Sequence, residues 1–483
     1  MNLTTKKWKT REVFVKNVGI GGKNPIRIQS MTKTDTNDIE KTTNQIIKLH
    51  EKGSELVRVA VIGKKEAFSL EKIASNLIKK NKNIPLVADI HFYPEAAMIV
   101  SEFVDKVRIN PGNYLIADDK SFLEKLNEKL LVLIDKCKKY DVAIRIGANF
   151  GSLSSRILEK FGNTKEGMVE SALEYAKILR KLDFNNFLFS MKASSIPIMI
   201  QSYRLLVKKQ MELGIDYPLH LGVTEAGDGI DGRLKSAIGI GQLLQDGIGD
   251  TIRVSLTEDP VNEIEPARKI IQNLEKNDAR QIPLNFLKKF EKFYFFLEDG
   301  SFDDIDGVID ENFDFEKFQI VFLDDFYTTK LIPDKKIILK ISNIDDEIKM
   351  AVKVSTMLVD RLVDGILLDK KDYLFGKNIL QASCIKKTKT EFVSCPGCGR
   401  TKYDIKKVLS DVREKFENLK DVKIAVMGCV VNGPKEVSDA DFGIIGSKPN
   451  KVNVYVKDKC VLKNIDEKDA AKSLENIILK FLK

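Results

Sequence analysis

The sequence predicts an α/β protein in three parts: an N-terminal TIM-type (β/α)₈ barrel, an α/β insert and a small C-terminal α/β domain. Three observations support this prediction. Residues 26–278 alternate between short apolar runs and helix-length segments. The 483 residues exceed what one hydrophobic core usually covers. The last part of the chain carries a cysteine pattern of its own. We place the three domains at 1–280, 281–388 and 389–483.

Eight apolar runs in the first part are predicted to be strands. Strands this apolar are typical of a parallel sheet that is buried on both faces. The runs are IRIQS (26–30), LVRVAV (56–61), PLVAD (85–89), KVRIN (106–110), VAIRIGAN (142–149), NFLFSMK (186–192), PLHLGV (218–223) and DTIRVS (250–255). Eight strand–helix units of this length match a barrel, and a doubly wound open sheet is the alternative. Asp259 and Pro260 mark one helix start, as an N-cap followed by proline.

The remaining segments are predicted to be α/β as well. In the insert, QIVFLDDF (319–326), KIILKIS (336–342) and DGILLDK (364–370) are strand-like, and DDEIKMAVKVSTMLVDRL (345–362) is predicted to be a helix. We expect the insert to be a spacer without an active site. In the C-terminal part, a helix at about 403–418 precedes the strand KIAVMG (423–428), and further strands and a closing helix follow.

Composition narrows the function classes. The formal charge of +9 comes from 79 basic and 70 acidic residues spread along the chain, and no basic run interleaves with aromatic residues as in a nucleic-acid surface. No apolar run approaches the roughly 20 residues of a bilayer span, and the first residues lack the apolar segment of a secretory signal. We expect a cytoplasmic protein without nucleic acid or membrane as a partner. In a reducing cytosol its six cysteines favour metal or redox chemistry over disulfides.

Polar side chains stand at the carboxyl ends of the predicted strands, where such barrels place their chemistry. They are Gln29, Ser30, Arg58, Asp89, His91, Arg108, Asn110, Arg145, Asn149, Lys192, Ser194, Glu225, Arg253 and Ser255. For any single cation, a salt bridge to a neighbouring carboxylate is the alternative, because an unpaired buried charge is costly. Five cations with two obvious acidic partners, Asp89 and Glu225, together predict a site for a diphosphate-sized anion.

Two weaker signals accompany these strand ends. His91 suits either a site or the core, whereas His220, inside a strand, is expected to be a hydrogen-bonded core residue. The segment EAGDGIDGRLKSAIGIG (225–241) places glycines before a helix whose N-terminus could receive a phosphate oxygen, although glycines also serve tight turns.

The cysteines near the C-terminus indicate a metal centre. Cys395 and Cys398 stand three positions apart before a helix, and Cys429 follows a strand. Structural zinc usually takes four Cys or His ligands, and a second C-x-x-C is absent, although Cys384 or Cys460 could supply a fourth sulfur. Three thiolates around a cubane cluster would leave one iron for a weaker ligand or a substrate. Glu436 is placed to offer that ligand, with an exposed loop carboxylate as the alternative.

The order of motifs along the chain resembles that of a known family, the 4-hydroxy-3-methylbut-2-en-1-yl diphosphate synthases, which are iron–sulfur enzymes of the methylerythritol phosphate route to isoprenoids. The resemblance covers about residues 10–278 and 389–483. It rests on QSMTKTDT, ADIHF, RINPGN, IRIGANFGSL, MKAS, SYRLL, PLHLGVTEAG, KSAIGIG, GIGDTIRVSLTEDP, CPGCGRT and MGCVVNGPKE.

The resemblance implies a TIM-type barrel and a C-terminal [4Fe–4S] domain similar to a sulfite-reductase module. The implied reaction is reductive ring opening of 2-C-methyl-D-erythritol 2,4-cyclodiphosphate with loss of water, driven by reduced ferredoxin or flavodoxin. A homodimer is the family-based expectation. The implied cluster ligands are Cys395, Cys398, Cys429 and Glu436, and a substrate oxygen replaces the glutamate during the reaction. Glu225 matches a carboxylate near the substrate hydroxyls, and Arg58, Arg108, Arg145, Asn149, Lys192, Arg253 and Ser255 match diphosphate-binding positions.

Two departures from the family pattern stand out. The family motif NGPGE reads NGPKE here, and Lys435 would be strained if that position required positive φ. The insert resembles the three-domain form of plants and some bacteria but is shorter. Two alternatives remain: a pterin- or corrinoid-binding barrel transferase with a structural zinc tail, and a non-catalytic protein with a zinc-stabilised tail. Neither alternative contains iron–sulfur.

Overall fold

The computed structural model describes residues 3–4, 8–115, 121–274, 281–282, 292–298, 307–308, 317–332 and 334–481. Near the N-terminus lie strand β1 (Leu3–Thr4) and a hairpin of β2 (Glu12–Val15) and β3 (Val18–Gly21). The hairpin packs Val13, Val15 and Ile20 against the residues that begin the barrel strands, among them Leu56 and Ala143. It therefore covers the amino-terminal end of the barrel, opposite the edge where the polar side chains gather.

Eight parallel strands form the barrel. They are β4 (Arg27–Met31), β5 (Leu56–Val61), β6 (Leu86–Ile90), β7 (Lys106–Ile109), β8 (Ala143–Asn149), β9 (Phe187–Lys192), β10 (His220–Leu221) and β11 (Thr251–Ile252). The sheet order is β10-β11-β4-β5-β6-β7-β8-β9, and a parallel bridge between Phe189 and Leu219 joins its two ends. The closed ring confirms the barrel and rules out the open doubly wound sheet.

Helices surround this ring and bury their apolar faces against it. They are α1 (Ile39–Glu51), α2 (Lys64–Lys79), α3 (Pro94–Val100), α4 (Phe122–Tyr140), α5 (Ser155–Phe161), α6 (Lys165–Lys181), α7 (Ile196–Glu212), α8 (Gly229–Gln245) and α9 (Ile264–Gln272). Asp259 caps the 3₁₀ turn Pro260–Glu263 that leads into α9, and its carboxylate accepts from Val261 N at 3.0 Å. The predicted helix start at Asp259-Pro260 is confirmed.

Two predicted strands are much shorter than expected. PLHLGV and DTIRVS contribute only two residues each to the ladder, as β10 and β11. Beyond the two-residue ladders, single backbone hydrogen bonds within the barrel continue, from Arg253 N to Leu221 O at 3.0 Å and from Thr224 N to Ala193 O at 3.2 Å. Farther along, Ala226 forms a parallel bridge with Ser394, and Thr257 N bonds to Gly227 O at 2.8 Å. The regular barrel ladder therefore ends early at these two strands, and the chain after β10 reaches the C-terminal part of the protein.

The second unit, which we call the insert, carries a five-stranded parallel sheet of order β14-β13-β17-β16-β15. Strand β12 (Gln281–Ile282) pairs with β1 before it. The sheet strands are β13 (Tyr294–Leu297), β14 (Gly307–Val308), β15 (Phe318–Phe322), β16 (Lys336–Ile341) and β17 (Gly365–Leu368), and its helices are α10 (Glu347–Val359) and α11 (Tyr373–Ala382). The predicted strand 319–326 is too long, because Leu323–Asp325 forms a 3₁₀ turn.

The third unit, residues 391–481, is the C-terminal unit. Its sheet order is β18-β19-β20-β21-β22, parallel for the first three strands and antiparallel for the rest. The strands are β18 (Glu391–Ser394), β19 (Lys423–Met427), β20 (Phe442–Lys448), β21 (Lys451–Val456) and β22 (Lys459–Asp466), and the helices are α12 (Ile405–Phe416), α13 (Gly433–Ser438) and α14 (Ala470–Phe481). Lys435 lies inside α13 and is not among the residues with positive φ, so the anticipated strain does not arise.

Candidate active site

A cavity of about 690 Å³, counted with the space that opens to solvent, lies between the carboxyl ends of the barrel strands and the C-terminal unit. It brings together most of the side chains that the sequence singles out. From the barrel these are Arg58, Asp89, His91, Arg108, Arg145, Asn149, Lys192, Glu225, Arg253 and Ser255, and from the C-terminal unit Cys395, Cys398 and Cys429. Strand ends and cysteine loops thus form opposite walls of one site.

Two of the barrel cations have carboxylate partners. Arg253 forms a double interaction with Glu263, with Nε and Nη2 at 3.1 and 3.0 Å from its oxygens. Glu263 was missed from the sequence, and it cancels one of the five charges that were counted as surplus. Arg108 donates through Nη1 to Asp89 Oδ1 at 3.0 Å and through Nη2 to the Gly147 carbonyl at 2.7 Å.

The other cations carry the uncompensated charge. Arg58 donates to the thioether sulfur of Met31 at 2.9 and 3.1 Å, and no ion pair is formed by it within the described part of the chain. Arg145 is 1% exposed, yet its Nε and Nη1 have no hydrogen-bond partner among the described residues. Burial, then the charges of Arg145 and Arg58, lowers the pKa of Lys192 well below its usual range. Like charges this close repel one another, and a bound anion would relieve that repulsion.

Asp89 and His91 lie among these cationic side chains. Burial opposes ionisation of Asp89, but the charges of Arg58, Arg108 and Arg400 hold its pKa well below the usual range. Burial, followed by the charge of Arg400, lowers the pKa of His91 to about 3, so the ring is neutral at physiological pH. The His91 ring contacts Arg108 Nη1 through Nε2 and Asn113 Nδ2 through Nδ1, the latter at 3.1 Å.

Glu225 has an unusual backbone and environment. Its φ of 51° places a non-glycine residue in the left-handed region, a conformation that is costly and concentrates at functional sites. Oε1 accepts from Asn432 Nδ2 of the C-terminal unit at 2.9 Å, and Oε2 is buried with no partner among the described groups. Burial raises the pKa of this carboxyl group, which favours its protonated form.

Five of the polar residues singled out from the sequence do not line the cavity, namely Gln29, Ser30, Asn110, Ser194 and Glu436. Asn110 donates to Ser152 Oγ at 2.9 Å and accepts from Gly112 N at 3.1 Å, so its amide organises the loop after β7. Ser194 donates to Glu436 Oε2 at 2.8 Å, beside Gly151. Burial and the nearby Glu225 charge raise the pKa of Glu436 to about 8. Glu436 is 4% exposed, so it is not a solvated loop carboxylate.

The three cysteine thiols have the character of ligands. Cys395 Sγ accepts from Gly428 N at 3.1 Å, and Cys398 Sγ accepts from Arg400 Nη1 at 3.2 Å. Burial, then the neighbouring sulfur, raises the pKa of Cys395 to about 12 and that of Cys429 to about 11. Thiolates in this position need a compensating cation, which bound iron provides, so this donor set fits a metal cluster. Within the described residues, no three His, Cys, Asp or Glu side chains are grouped to hold one metal ion.

Neither of the other thiols proposed as a fourth ligand reaches this cavity. Cys384 lies beside Lys235 and Glu391, and Cys460, on β22, points to the carbonyl of Leu462 at 3.4 Å. Cys137 is buried in α4.

The C-terminal unit is closed over the barrel of its own chain. Thr257 Oγ1 lies 2.6 Å from Ser394 Oγ, and Arg413 bonds to Asp228 and Asp231 at 2.8 and 3.1 Å. Arg400 reaches from the cysteine loop to Asp89 Oδ2 at 2.9 Å. Arg400 and Asn432 line the cavity, and neither was named from the sequence; their only signal there was that both lie in the cysteine motifs.

Two weaker sequence signals lie outside the cavity. No residue of α8 lines it, and Gly229 N at the start of that helix donates to Glu258 Oε1 at 2.9 Å. His220 is fully buried as expected, but neither of its ring nitrogens has a hydrogen-bond partner among the described residues. It belongs to a polar layer inside the barrel with Lys106, whose amine is also buried and unpartnered there.

No helix in the described part of the chain is both long enough and apolar enough to cross a membrane.

Comparison with known proteins completes the description of the site. The model of the GcpE TIM-barrel domain matches residues 10–268, and that of the GcpE protein C-terminal domain matches residues 391–480. The two matches flank the insert and include both walls of the cavity.

Full-length relatives carry one enzyme name. The 4-hydroxy-3-methylbut-2-en-1-yl diphosphate synthase (flavodoxin) of Protochlamydia amoebophila is 39% identical, covering 98% of this chain and 96% of that protein. The protein of that name from Akkermansia muciniphila gives the same three values. The chloroplastic, ferredoxin-type synthase of Oryza sativa subsp. japonica is 36% identical over 98% of this chain and 87% of its own length. The resemblance seen in the sequence is confirmed, and the chain belongs to the GcpE family.

Proposed function

We propose that this chain opens the ring of 2-C-methyl-D-erythritol 2,4-cyclodiphosphate reductively, forming 4-hydroxy-3-methylbut-2-enyl diphosphate and water in non-mevalonate isoprenoid biosynthesis. Reduced flavodoxin or ferredoxin, the donors in the relatives' names, supplies the electrons. The observation that carries the proposal is the position of three thiols directly across one cavity from a surplus of buried cations.

The cations hold the diphosphate. Arg58, Arg145 and Lys192 lack carboxylate partners among the described residues, so a doubly phosphorylated ligand supplies the missing negative charge. These side chains are held in place before the substrate arrives, and once the diphosphate is bound their positive charges stabilise the phosphate oxygen that is freed when its bond to carbon breaks. Asn149 and Ser255 line the same wall and can donate to the phosphate oxygens or the hydroxyl groups.

Cys395, Cys398, Cys429 and Glu436 are the proposed ligands of a [4Fe–4S] cluster. When bound, such a cluster supplies two electrons one at a time and an iron that acts as a Lewis acid toward a substrate oxygen. In the closed arrangement Glu436 instead accepts from Ser194 on the barrel. Ser194 would therefore hold the Glu436 carboxyl group whenever that group is not a ligand of the cluster.

Glu225 is placed to donate the proton that the loss of water requires. Its Oε2 is buried and unpartnered among the described groups, and burial favours the protonated carboxyl. Loss of the substrate hydroxyl as water requires one proton, and Glu225 can donate it from inside a cavity that excludes bulk water. Asn432 holds the other oxygen, so closure of the C-terminal unit orients the acid.

Both walls of the site belong to one chain, so the proposed reaction does not require a partner subunit. The expected homodimer and the cytoplasmic location stay predictions. The insert contributes no residue to the lining of the cavity among the described residues, in keeping with a spacer.

The test is anaerobic purification followed by iron analysis and turnover of the cyclodiphosphate with reduced flavodoxin. We expect about four irons per chain, as a [4Fe–4S] cluster requires. Cys429→Ser should lose cluster and turnover together. Cys460→Ser is the matched control, because this thiol lies in the same sheet but outside the cavity, and it should keep both.

An iron-free wild-type protein, or one that holds zinc at these thiols, would overturn the proposal. It would favour the pterin- or corrinoid-binding transferase or the non-catalytic zinc protein. A fully active Cys429→Ser protein would overturn it equally.

A further inference from the structure

Arg400 joins the two walls of the site through a single side chain. Its Nη1 donates to Cys398 Sγ at 3.2 Å, within the cysteine loop. Its Nη2 donates to Asp89 Oδ2 at 2.9 Å, at the end of barrel strand β6. The guanidinium side chain is 10% exposed, so both contacts are shielded from solvent. Among the described residues, no other side chain bonds both to a cysteine sulfur of this loop and to the barrel.

The barrel end of this bridge is held rigidly. Asp89 Oδ1 accepts from Arg108 at 3.0 Å, so its two oxygens serve two arginines from different units. An arginine side chain stays protonated in proteins, and here its guanidinium group lies between a cysteine sulfur and a carboxylate. Arg400 therefore stays a cation beside the sulfur whenever the two units are closed.

A cationic donor stabilises negative charge on the sulfur it contacts. A reduced cluster carries one more negative charge than an oxidised one, so this contact favours the reduced state. Only the closed arrangement fixes the guanidinium through Asp89 and removes it from water. In an open arrangement the same arginine would be solvated, and its effect on the sulfur would be screened.

We propose that Arg400 is a positioning residue that couples closure of the C-terminal unit to reduction of the cluster. The inference rests on the proposed function and describes how the same site is regulated. Coupling is reciprocal: closure makes the cluster easier to reduce, and reduction favours closure. The cluster is then reduced mainly while the C-terminal unit is closed over the barrel.

The experiment uses the full-length holoenzyme without substrate. The midpoint potential of the cluster is measured by a redox titration followed by electron paramagnetic resonance. Small-angle scattering, before and after reduction with dithionite, reports closure. We expect Arg400→Gln to shift the potential to more negative values and to lower the closed-to-open ratio by roughly tenfold or more, as loss of a charged, shielded hydrogen bond implies. Turnover should fall chiefly in kcat.

Asp89→Asn is the sharper variant, because it contacts no cysteine. If Asp89 fixes Arg400 against the sulfur, this barrel substitution also moves the cluster potential in the negative direction. Lys402→Gln is the matched control: Lys402 bonds to Asp35 of the barrel at 2.8 Å, but both side chains are close to half exposed. Such a pair contributes little, so this variant should match wild type.

Unchanged potential and unchanged closure in Asp89→Asn would overturn the coupling, even if Arg400→Gln failed to assemble its cluster. A shift of equal size in Lys402→Gln would also overturn it, since any contact between the units would then have the same effect on the potential. These results leave the proposed function intact, provided that the wild type holds its cluster and turns over. An iron-free wild type would refute the proposed function itself.

Discussion

His91 is enclosed by charged groups and remains neutral. It lies 3.5 Å from Asp89 and contacts Arg108, and its side chain is only 5% exposed. A neutral ring in this position can accept from the arginine without adding another positive charge to the pocket. The neutral ring lowers the stability of the folded state in acid, because His91 binds a proton in the unfolded chain that it does not bind in the folded chain.

This cost gives a pH prediction. The pKa of His91 is about 3 in the folded state, from a usual value of 6.5. Between these values the unfolded state binds more protons, so the free energy of unfolding rises with pH and is lost as pH falls from 6.5 towards 3. We expect His91→Gln to remove about 1 kcal/mol of this dependence per pH unit below pH 6. Urea unfolding from pH 4.5 to 8 measures it.

The two proteins should show parallel curves above pH 7, which serves as an internal control. Parallel curves over the whole range would contradict a neutral His91.

At the level of residues, the sequence predicted the site residues that stand at the ends of strands. It did not predict contacts between side chains that are far apart in the sequence. Arg58, Arg145 and Lys192 were found because cations at the ends of apolar strands are conspicuous. The Glu263 partner of Arg253 was not, because a carboxylate in a turn looks solvated until the turn folds back. The contact between Ser194 and Glu436 spans 242 positions and depends on how two units dock.

Among the elements, helix α10 of the insert is fixed to the barrel by a buried ion cluster. Arg204 on α7 forms a double interaction with Asp360, just after α10, at 2.7 and 3.0 Å. It also bonds to Asp246, just after α8, at 2.8 Å. Close packing accompanies these charges, since Gly241 of α8 faces Val352 of α10. The insert is therefore anchored along the barrel and is not loosely tethered to it.

Removing the central cation should be costly. Arg204→Met leaves two nearly buried carboxylates facing each other, and we expect it to lower the free energy of unfolding by about 3–5 kcal/mol. Arg268→Met is the control, because Arg268 pairs with Glu265 on the surface of α9 and should cost less than about 1 kcal/mol. Denaturant unfolding monitored by circular dichroism compares them. Equal costs would show that the ion cluster does not anchor the insert.

Element prediction from sequence succeeded for long apolar runs and failed at β10 and β11. The apolar pattern of PLHLGV and DTIRVS indicated full strands, and the hydrophobicity was interpreted correctly. What the pattern could not show is where the regular ladder ends and where the chain meets the C-terminal unit. Ser394 offers the backbone after β10 another edge, and Gly227 N bonds to the Ser394 carbonyl at 3.3 Å. A single-chain pattern contains no information about which of two edges a segment will pair with.

At the scale of the whole molecule, the closed arrangement depends on ion pairs around the rim of the cavity. Arg413 on α12 bonds to Asp228 and Asp231 beside the start of α8, and it lies over the ring of Phe392 at 4.6 Å. Lys389 also bonds to Asp231, at 2.9 Å. These contacts are partly shielded, so they hold the C-terminal unit down more firmly than exposed pairs would.

We expect Arg413→Gln to open the molecule. Loss of the charged hydrogen bond to Asp231 and of the ion pair with Asp228 should lower kcat/KM by roughly tenfold or more and enlarge the radius of gyration. Lys415→Gln is the matched control on the same helix, since Lys415 pairs with Glu475 inside the C-terminal unit. Scattering and turnover are measured on both. An unchanged radius of gyration in Arg413→Gln would contradict a role in closure.

The bridge between Ala226 and Ser394 joins the barrel to the unit that carries the thiols, and both ends lie on one continuous polypeptide. Because one polypeptide carries both walls of the site, the effective concentration of one wall near the other does not depend on the protein concentration. Dilution therefore leaves the assembly of this site untouched, and even in a dimer each copy would supply its own three cysteines to its own barrel.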